Sequence, residues 1–161
     1  MRRPSLTLGL VPFAVLAAAC SSSPSSAPST GSVHQLAASL DPSQVVDPTT
    51  GSTVAVPSSL SGAAGTFTGT VDSASRRLAW HLSFQGLGTP SVVIADVHYG
   101  ATGSFGRLLV RLCGPCRSSR PSGTVSVPAT GTSALVSGGA WVTVNTATYP
   151  NGAIRGQITS H

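Results

Sequence analysis

The chain has 161 residues and a formal charge of +5, carried by nine basic and four acidic side chains. All the basic residues are Arg and all the acidic ones Asp, a bias that reads as genome composition rather than a chosen surface. The length accommodates one domain, not two, and a mild positive excess with 5% aromatic residues excludes the basic, aromatic-rich footprint of nucleic-acid binders.

The N-terminus predicts export. Arg2 and Arg3 precede an apolar run from Leu6 to Ala19. That run is too short for a permanent membrane helix, which needs roughly 20 residues, and it ends in the small residues of a cleavage site. A cysteine directly after Ala17-Ala18-Ala19 resembles the lipobox of bacterial lipoproteins, in which the cysteine is diacylated and becomes the first residue after cleavage. Leu16 lies four residues before Cys20, where the commonest lipobox has its leucine at three. Residues 1–19 are therefore expected to be a signal peptide and Cys20 a lipid anchor on the outer face of a bacterial membrane. The alternative is plain secretion after cleavage near Ala19.

Residues 20–32 follow as an uncharged Ser/Pro/Ala/Thr/Gly stretch, expected to be a disordered tether because it has too little apolar surface to fold. The folded domain is expected over 33–161. Without the leader, seven Arg against four Asp leave +3. Three cysteines are an awkward number for an exported protein. Lipidation of Cys20 leaves Cys113 and Cys116 as one pair in an oxidising compartment.

Beyond the tether, the chain is expected to be all-β. No window of eleven or more residues has helical apolar spacing, and period-two alternation recurs instead. Leu78, Trp80, Leu82 and Phe84 share one face, as do Leu108, Val110 and Leu112. Ile154, Gly156 and Ile158 alternate with Arg155, Gln157 and Thr159. Turn clusters separate the runs at 72–76, 86–90, 99–106 and 148–152, the last holding the tight-turn pair Asn151-Gly152. Strands are predicted over 33–40, 65–71, 77–85, 91–98, 107–113, 123–128, 140–146 and 153–159. About eight short strands at this spacing predict an antiparallel Greek-key sandwich or barrel. The expected core comprises Phe67, Val71, Leu78, Trp80, Leu82 and Phe84 from the second and third strands. Val93, Leu108, Val110, Leu112, Val125 and Val127 continue it, and Trp141, Val144, Ile154 and Ile158 complete it.

Three stretches carry a further resemblance: "GTFTGTVDSASRRLAWHLSFQGL" (65–87), "ADVHYGA" (95–101) and "GGAWVTVNTATYPNGAIRGQI" (138–158). They resemble the CHRD domain, first described in chordin, over roughly residues 34–159. The last block is the most specific, with its small pair before the strand, Trp141, the Pro150 to Gly152 turn and Ile154-Arg155-Gly156-Gln157. The resemblance implies an extracellular β-rich module, exported or lipid-anchored in many bacterial relatives. No biochemical activity comes with it.

Cys113-Gly114-Pro115-Cys116 is, letter for letter, the dithiol of thioredoxin-like enzymes. Such a site needs the first thiol at the N-terminus of a helix, where the dipole lowers its pKa. Here the next residues are "RSSRPSGTVSV", with Pro121 and Gly123 and no amphipathic period, so a structural disulfide in a loop is expected. In relatives that carry "AHIHG" two histidines stand at i and i+2, with a third in "NVHT". Asp96 and Asn145 take two of those places here, leaving His98, a poor set for a first-row metal. Asp96, His98, Asn145 and Arg155 are expected to form a polar patch. No Gly-x-Ser-x-Gly motif or phosphate-cradling loop is present, and with no Glu there are few general acids.

The sequence therefore predicts a lipid-anchored, extracytoplasmic binding or structural module. No catalytic activity and no cofactor are expected, and the partner would be an envelope protein or polymer rather than nucleic acid. The loops at 99–106 and 113–122, the second made basic by Arg117 and Arg120, are its expected contact sites. An envelope thiol-disulfide oxidoreductase using Cys113 and Cys116 is the alternative. A metal-binding module through Asp96 and His98 is the weaker one.

Overall fold

The computed structural model describes residues 31–88 and 93–161. The expected signal peptide, the lipidated Cys20 and nearly all of the tether lie outside these residues, as do positions 91 and 92 of the fourth predicted strand. The described part is an all-β sandwich of two antiparallel sheets with one short helix.

Strands β1 (Val33–Leu40), β2 (Ala64–Asp72), β3 (Arg77–Gln85), β6 (Ser122–Ser126) and β9 (Thr159–Ser160) form the first sheet, in the order β6-β3-β2-β1-β9. The second contains β4 (Val93–Tyr99), β5 (Leu108–Cys113), β7 (Ala140–Thr146) and β8 (Ile154–Gln157), in the order β5-β4-β7-β8. β6 returns beside β3 while β4 and β5 form a hairpin in the facing sheet, which is a Greek-key connection.

Alternation in β2 and β3 does what the sequence predicts. Phe67, Val71, Leu78, Trp80 and Leu82 point between the sheets and are buried, while Thr66, Thr68 and His81 point to solvent. Ala95, Val97, Val142, Val144 and Ile154 close the core from the second sheet. Burying a side chain such as Phe67 contributes about 1.5–3 kcal/mol, so this interior dominates the stability. Phe84, Val93, Val110, Leu112 and Val125 are only partly buried at its rim.

Three expectations are corrected. The helix α1 (Ala129–Ser137) was not foreseen, because "ATGTSALVS" contains Thr, Gly and Ser and is shorter than the periodicity window. It forms because Leu135 is fully buried against the sandwich, and Gly138, at φ 75°, lets the Gly139 N–H turn back to the Ala134 carbonyl at 2.8 Å. The predicted strand 153–159 is two strands, β8 and β9, which belong to different sheets. Finally, Leu108 is 46% exposed rather than in the core. Irregularities between Ala95 and Asp96 and between Val97 and His98 set extra β5 residues against β4, and each such bulge reverses the facing of the residues beyond it.

The registers assign the loops to two ends. At the Leu40 end of β1 lie residues 41–63, the Cys113–Cys116 loop and the 147–153 turn; at the Val33 end lie 73–76, 100–107 and α1. The chain enters at the Val33 end, where the Ser73 N–H donates to the Ser32 carbonyl at 3.0 Å.

Candidate functional site

The outer face of the second sheet gathers most of the expected polar residues. Asp96 and His98 project from the same face of β4 because they are two apart. The register places Asp96 between Arg111 of β5 and Thr143 of β7, with Arg155 beyond. It likewise places His98 beside Trp141, with Gln157 next.

Asp96 is buried, and both of its oxygens are engaged. The Arg111 Nε–H donates to Oδ1 at 3.0 Å and Asn145 Nδ2 to Oδ2 at 3.3 Å. Thr143 Oγ1 lies 3.0 Å from Asn145 Oδ1 and 3.1 Å from the Ile154 carbonyl, fixing the amide that faces the carboxylate. Asp96 and Asn145 are thus in direct contact, and the ion-pair partner of Asp96 is Arg111 of β5.

Arg155 takes a different place from the one its expected neighbours suggest. Its guanidinium lies 3.9 Å from the Trp141 ring, while His98 stacks with that ring at 4.3 Å, the two planes inclined by 7°. The β4-β7-β8 order puts His98 and Arg155 on opposite sides of the indole. Arg155 is 3% exposed, and its Nη2 donates to the Ser104 carbonyl at 2.7 Å. Burial lowers its pKa to about 10. The stack is a cation–π contact in a partly dry setting, the kind worth about 1–2 kcal/mol.

The 100–107 loop lies over this face instead of standing free. Gln157 Nε2 contacts the carbonyls of Gly100, Gly138 and Ala140 at 3.0, 2.7 and 2.9 Å, tying the loop to the end of α1 and to β7. His98 Nδ1 donates to the Gly106 carbonyl at 3.0 Å, which assigns the proton to that nitrogen. Burial pushes the His98 pKa below the ordinary histidine value, with the Gly106 bond and Asp96 opposing and Arg155 reinforcing the shift. Gly100 has to be glycine: its φ is 143°, and a Cβ there would lie 2.8 Å from Trp141 Nε1.

Trp141 was expected in the inter-sheet core. It is buried, but on the opposite face from Val142 and Val144. The signal was present in the sequence. Trp141, Thr143 and Asn145 share one parity in β7, and Val142 and Val144 the other, so Trp141 and Val144 never belonged to the same layer.

At the other end of the molecule Cys113 and Cys116 are joined in a disulfide. The backbone then runs through bends over 117–120 directly into β6. No helix follows Cys116, so the dipole that activates a thioredoxin-like thiol is missing from this loop. Asp96 and His98 likewise have no third His, Cys, Asp or Glu close enough among the described residues to complete a metal site. Of the remaining histidines, His81 and His161 are exposed and His34 half-buried.

Comparison with known proteins finds one family. The model of the CHRD domain matches residues 36–158, a span that includes most of β1 and all of β2 to β8, leaving out the short β9. No curated protein and no solved structure matches the chain.

Proposed function

The chain belongs to the CHRD-domain family, and from that premise we propose that it is a binding or structural module held at a bacterial cell envelope by a lipidated Cys20. One observation carries the reading: the groups that suggested chemistry are spent on holding the fold. Each Asp96 oxygen is engaged, by Arg111 and by Asn145, His98 is stacked and bonded to a carbonyl, and Cys113 and Cys116 close a strand-to-strand loop.

The chain direction supports the tethered arrangement. With the tether entering at the Val33 end, the Leu40 end and its loops face away from the attachment point. A spacer of about a dozen residues would let that end reach several nanometres from the lipid surface.

The test is fractionation of cells expressing the full chain. The protein is expected in the membrane fraction, labelled by radioactive palmitate, with Cys20→Ala moving it to the soluble fraction without label. A soluble, unlabelled parent would refute the anchor. The oxidoreductase alternative is tested by the reduction potential of the disulfide. A value below about −300 mV marks a structural bond, whereas roughly −270 to −120 mV is the range of thiol-disulfide enzymes.

A further inference from the structure

Among the described residues no strand or helix covers the outer face of the first sheet, and the face is rich in hydroxyl side chains. Its outward positions on β2 include Thr66, Thr68 and Thr70, and on β3 Ala79, His81, Ser83 and Gln85, with Asp72 and Arg77 opposite each other at the far, Val33 end. The registers align Ser39, Thr66 and Ser83 in one row across three strands, with Ala37, Thr68, His81 and Ser122 in the next. Thr66 Oγ1 and Ser83 Oγ hydrogen-bond at 2.7 Å. Residues 117–121, which follow the disulfide, border this lattice at its Leu40 end. There the Phe84 N–H donates to the Ser119 carbonyl at 3.0 Å and the Leu82 N–H to the Pro121 carbonyl at 2.9 Å.

Three adjoining depressions of about 330, 340 and 270 Å³ follow that border. The first two meet at Ser83 and Arg120, and the third lies against Arg117 and Ser119. No acidic residue lines any of them. Among the described residues the only ion pair is Arg111–Asp96, so the exposed Arg117 and Arg120 have no carboxylate partner there.

We propose that this face, with Arg117 and Arg120 at its edge, binds an anionic polysaccharide. The proposal rests on the binding-module reading and names its ligand class. A guanidinium matches a carboxylate or sulfate with two parallel hydrogen bonds, and Ser and Thr hydroxyls both donate to and accept from sugar hydroxyls. The strand separation of about 4.8 Å is close to the length of one sugar unit. A chain laid from Arg120 over Ser83, Thr66 and Ser39 would therefore meet a polar group at each step. The segment carrying Arg117 and Arg120 is held in advance at its start by the disulfide and by the Cys116 N–H to the Val93 carbonyl at 2.8 Å, and along its length by its bonds to β3. Such fixing reduces the ordering cost of binding. The face has neither the aromatic platforms that single-stranded nucleic acid stacks on nor the apolar anchors of a protein hot spot.

The experiment is calorimetric titration of the full chain with polygalacturonate, with neutral dextran, and with polyphosphate, which has the charge but no hydroxyls. Polygalacturonate is expected to bind at least tenfold more tightly than either of the others, and more weakly as salt rises. Arg117→Ser with Arg120→Ser should reduce that affinity at least tenfold. Thr66→Val with Thr68→Val should reduce it severalfold, with both variants keeping the parent's circular dichroism and melting profile. Polyphosphate binding equal to polygalacturonate, an unaffected Thr66/Thr68 variant, or no binding would each overturn the proposal. In the last case, retention of the full chain on isolated envelope fragments would leave the module reading standing with a different ligand. Absence of retention there would refute the module reading as well.

Discussion

Gly156 is where the family's Arg-Gly-Gln signature meets the sandwich most tightly. A Cβ on this residue would lie 2.3 Å from the Ser39 carbonyl oxygen and 2.9 Å from its carbon, both main-chain atoms of β1. Neither can rotate away, so Gly156→Ala must push β8 from β1. The two bonds of the adjacent bridge, Asp41 N–H to the Arg155 carbonyl at 3.0 Å and Arg155 N–H to the Asp41 carbonyl at 3.1 Å, stretch with it. Losing both costs about 1–3 kcal/mol, and forcing a methyl into a close-packed junction costs about 1–3 kcal/mol more. The sum, about 2–6 kcal/mol, is a large share of the roughly 5–15 kcal/mol that holds a typical domain folded. Urea titration followed by tryptophan fluorescence measures it directly. Gly62→Ala is the internal control, since a Cβ there would enter open space. The control should be neutral or more stable by about 0.4–1 kcal/mol. If Gly156→Ala unfolds at the same urea concentration as Gly62→Ala, the account of the β1–β8 junction is wrong.

Leu135→Ala should destabilise by about 2–5 kcal/mol and weaken the helical signal in the far-ultraviolet spectrum, because this fully buried leucine pins α1. Arg155→Lys should cost about 1–3 kcal/mol and change the near-ultraviolet signal of Trp141, since an ammonium cannot reproduce the planar stack and the bond to Ser104. Because burial depresses the His98 pKa, its contribution to stability is complete above the ordinary histidine value of about 6.5 and is lost as pH falls through it toward the folded value. Denaturation midpoints measured from pH 7.5 to 5 should therefore fall in the parent. They should fall less in His98→Phe, which keeps a ring on Trp141. Converting both Cys113 and Cys116 to Ser should cost no more than about 2 kcal/mol, because so short a loop closes little chain entropy. A loss of folding in that variant would make the disulfide a mainstay of the whole domain.

Local sequence patterns specify the class of fold, the placement of most strands, the turn at Asn151-Gly152 and the loop context of the cysteine pair. These are local signals. Period two assigns residues to faces, Gly and Pro mark where strands end, and the residues after Cys116 have no helical period. Tertiary structure alone decided which face met which. Leu135 made a helix of a segment with poor intrinsic propensity, since burial outweighs propensity in a nine-residue helix. Bulges in the β4–β5 pair turned Leu108 outward and set Arg111 against Asp96, and a bulge leaves no mark in the alternation of one strand. The parity of β7 separated Trp141 from Val144, but only the β4-β7-β8 order placed His98 and Arg155 on its two sides. Alternation specifies which residues of a strand share a face; the neighbours of that face come from pairings between residues far apart in the chain, as Asp96–Asn145 and Gly100–Gln157 are here.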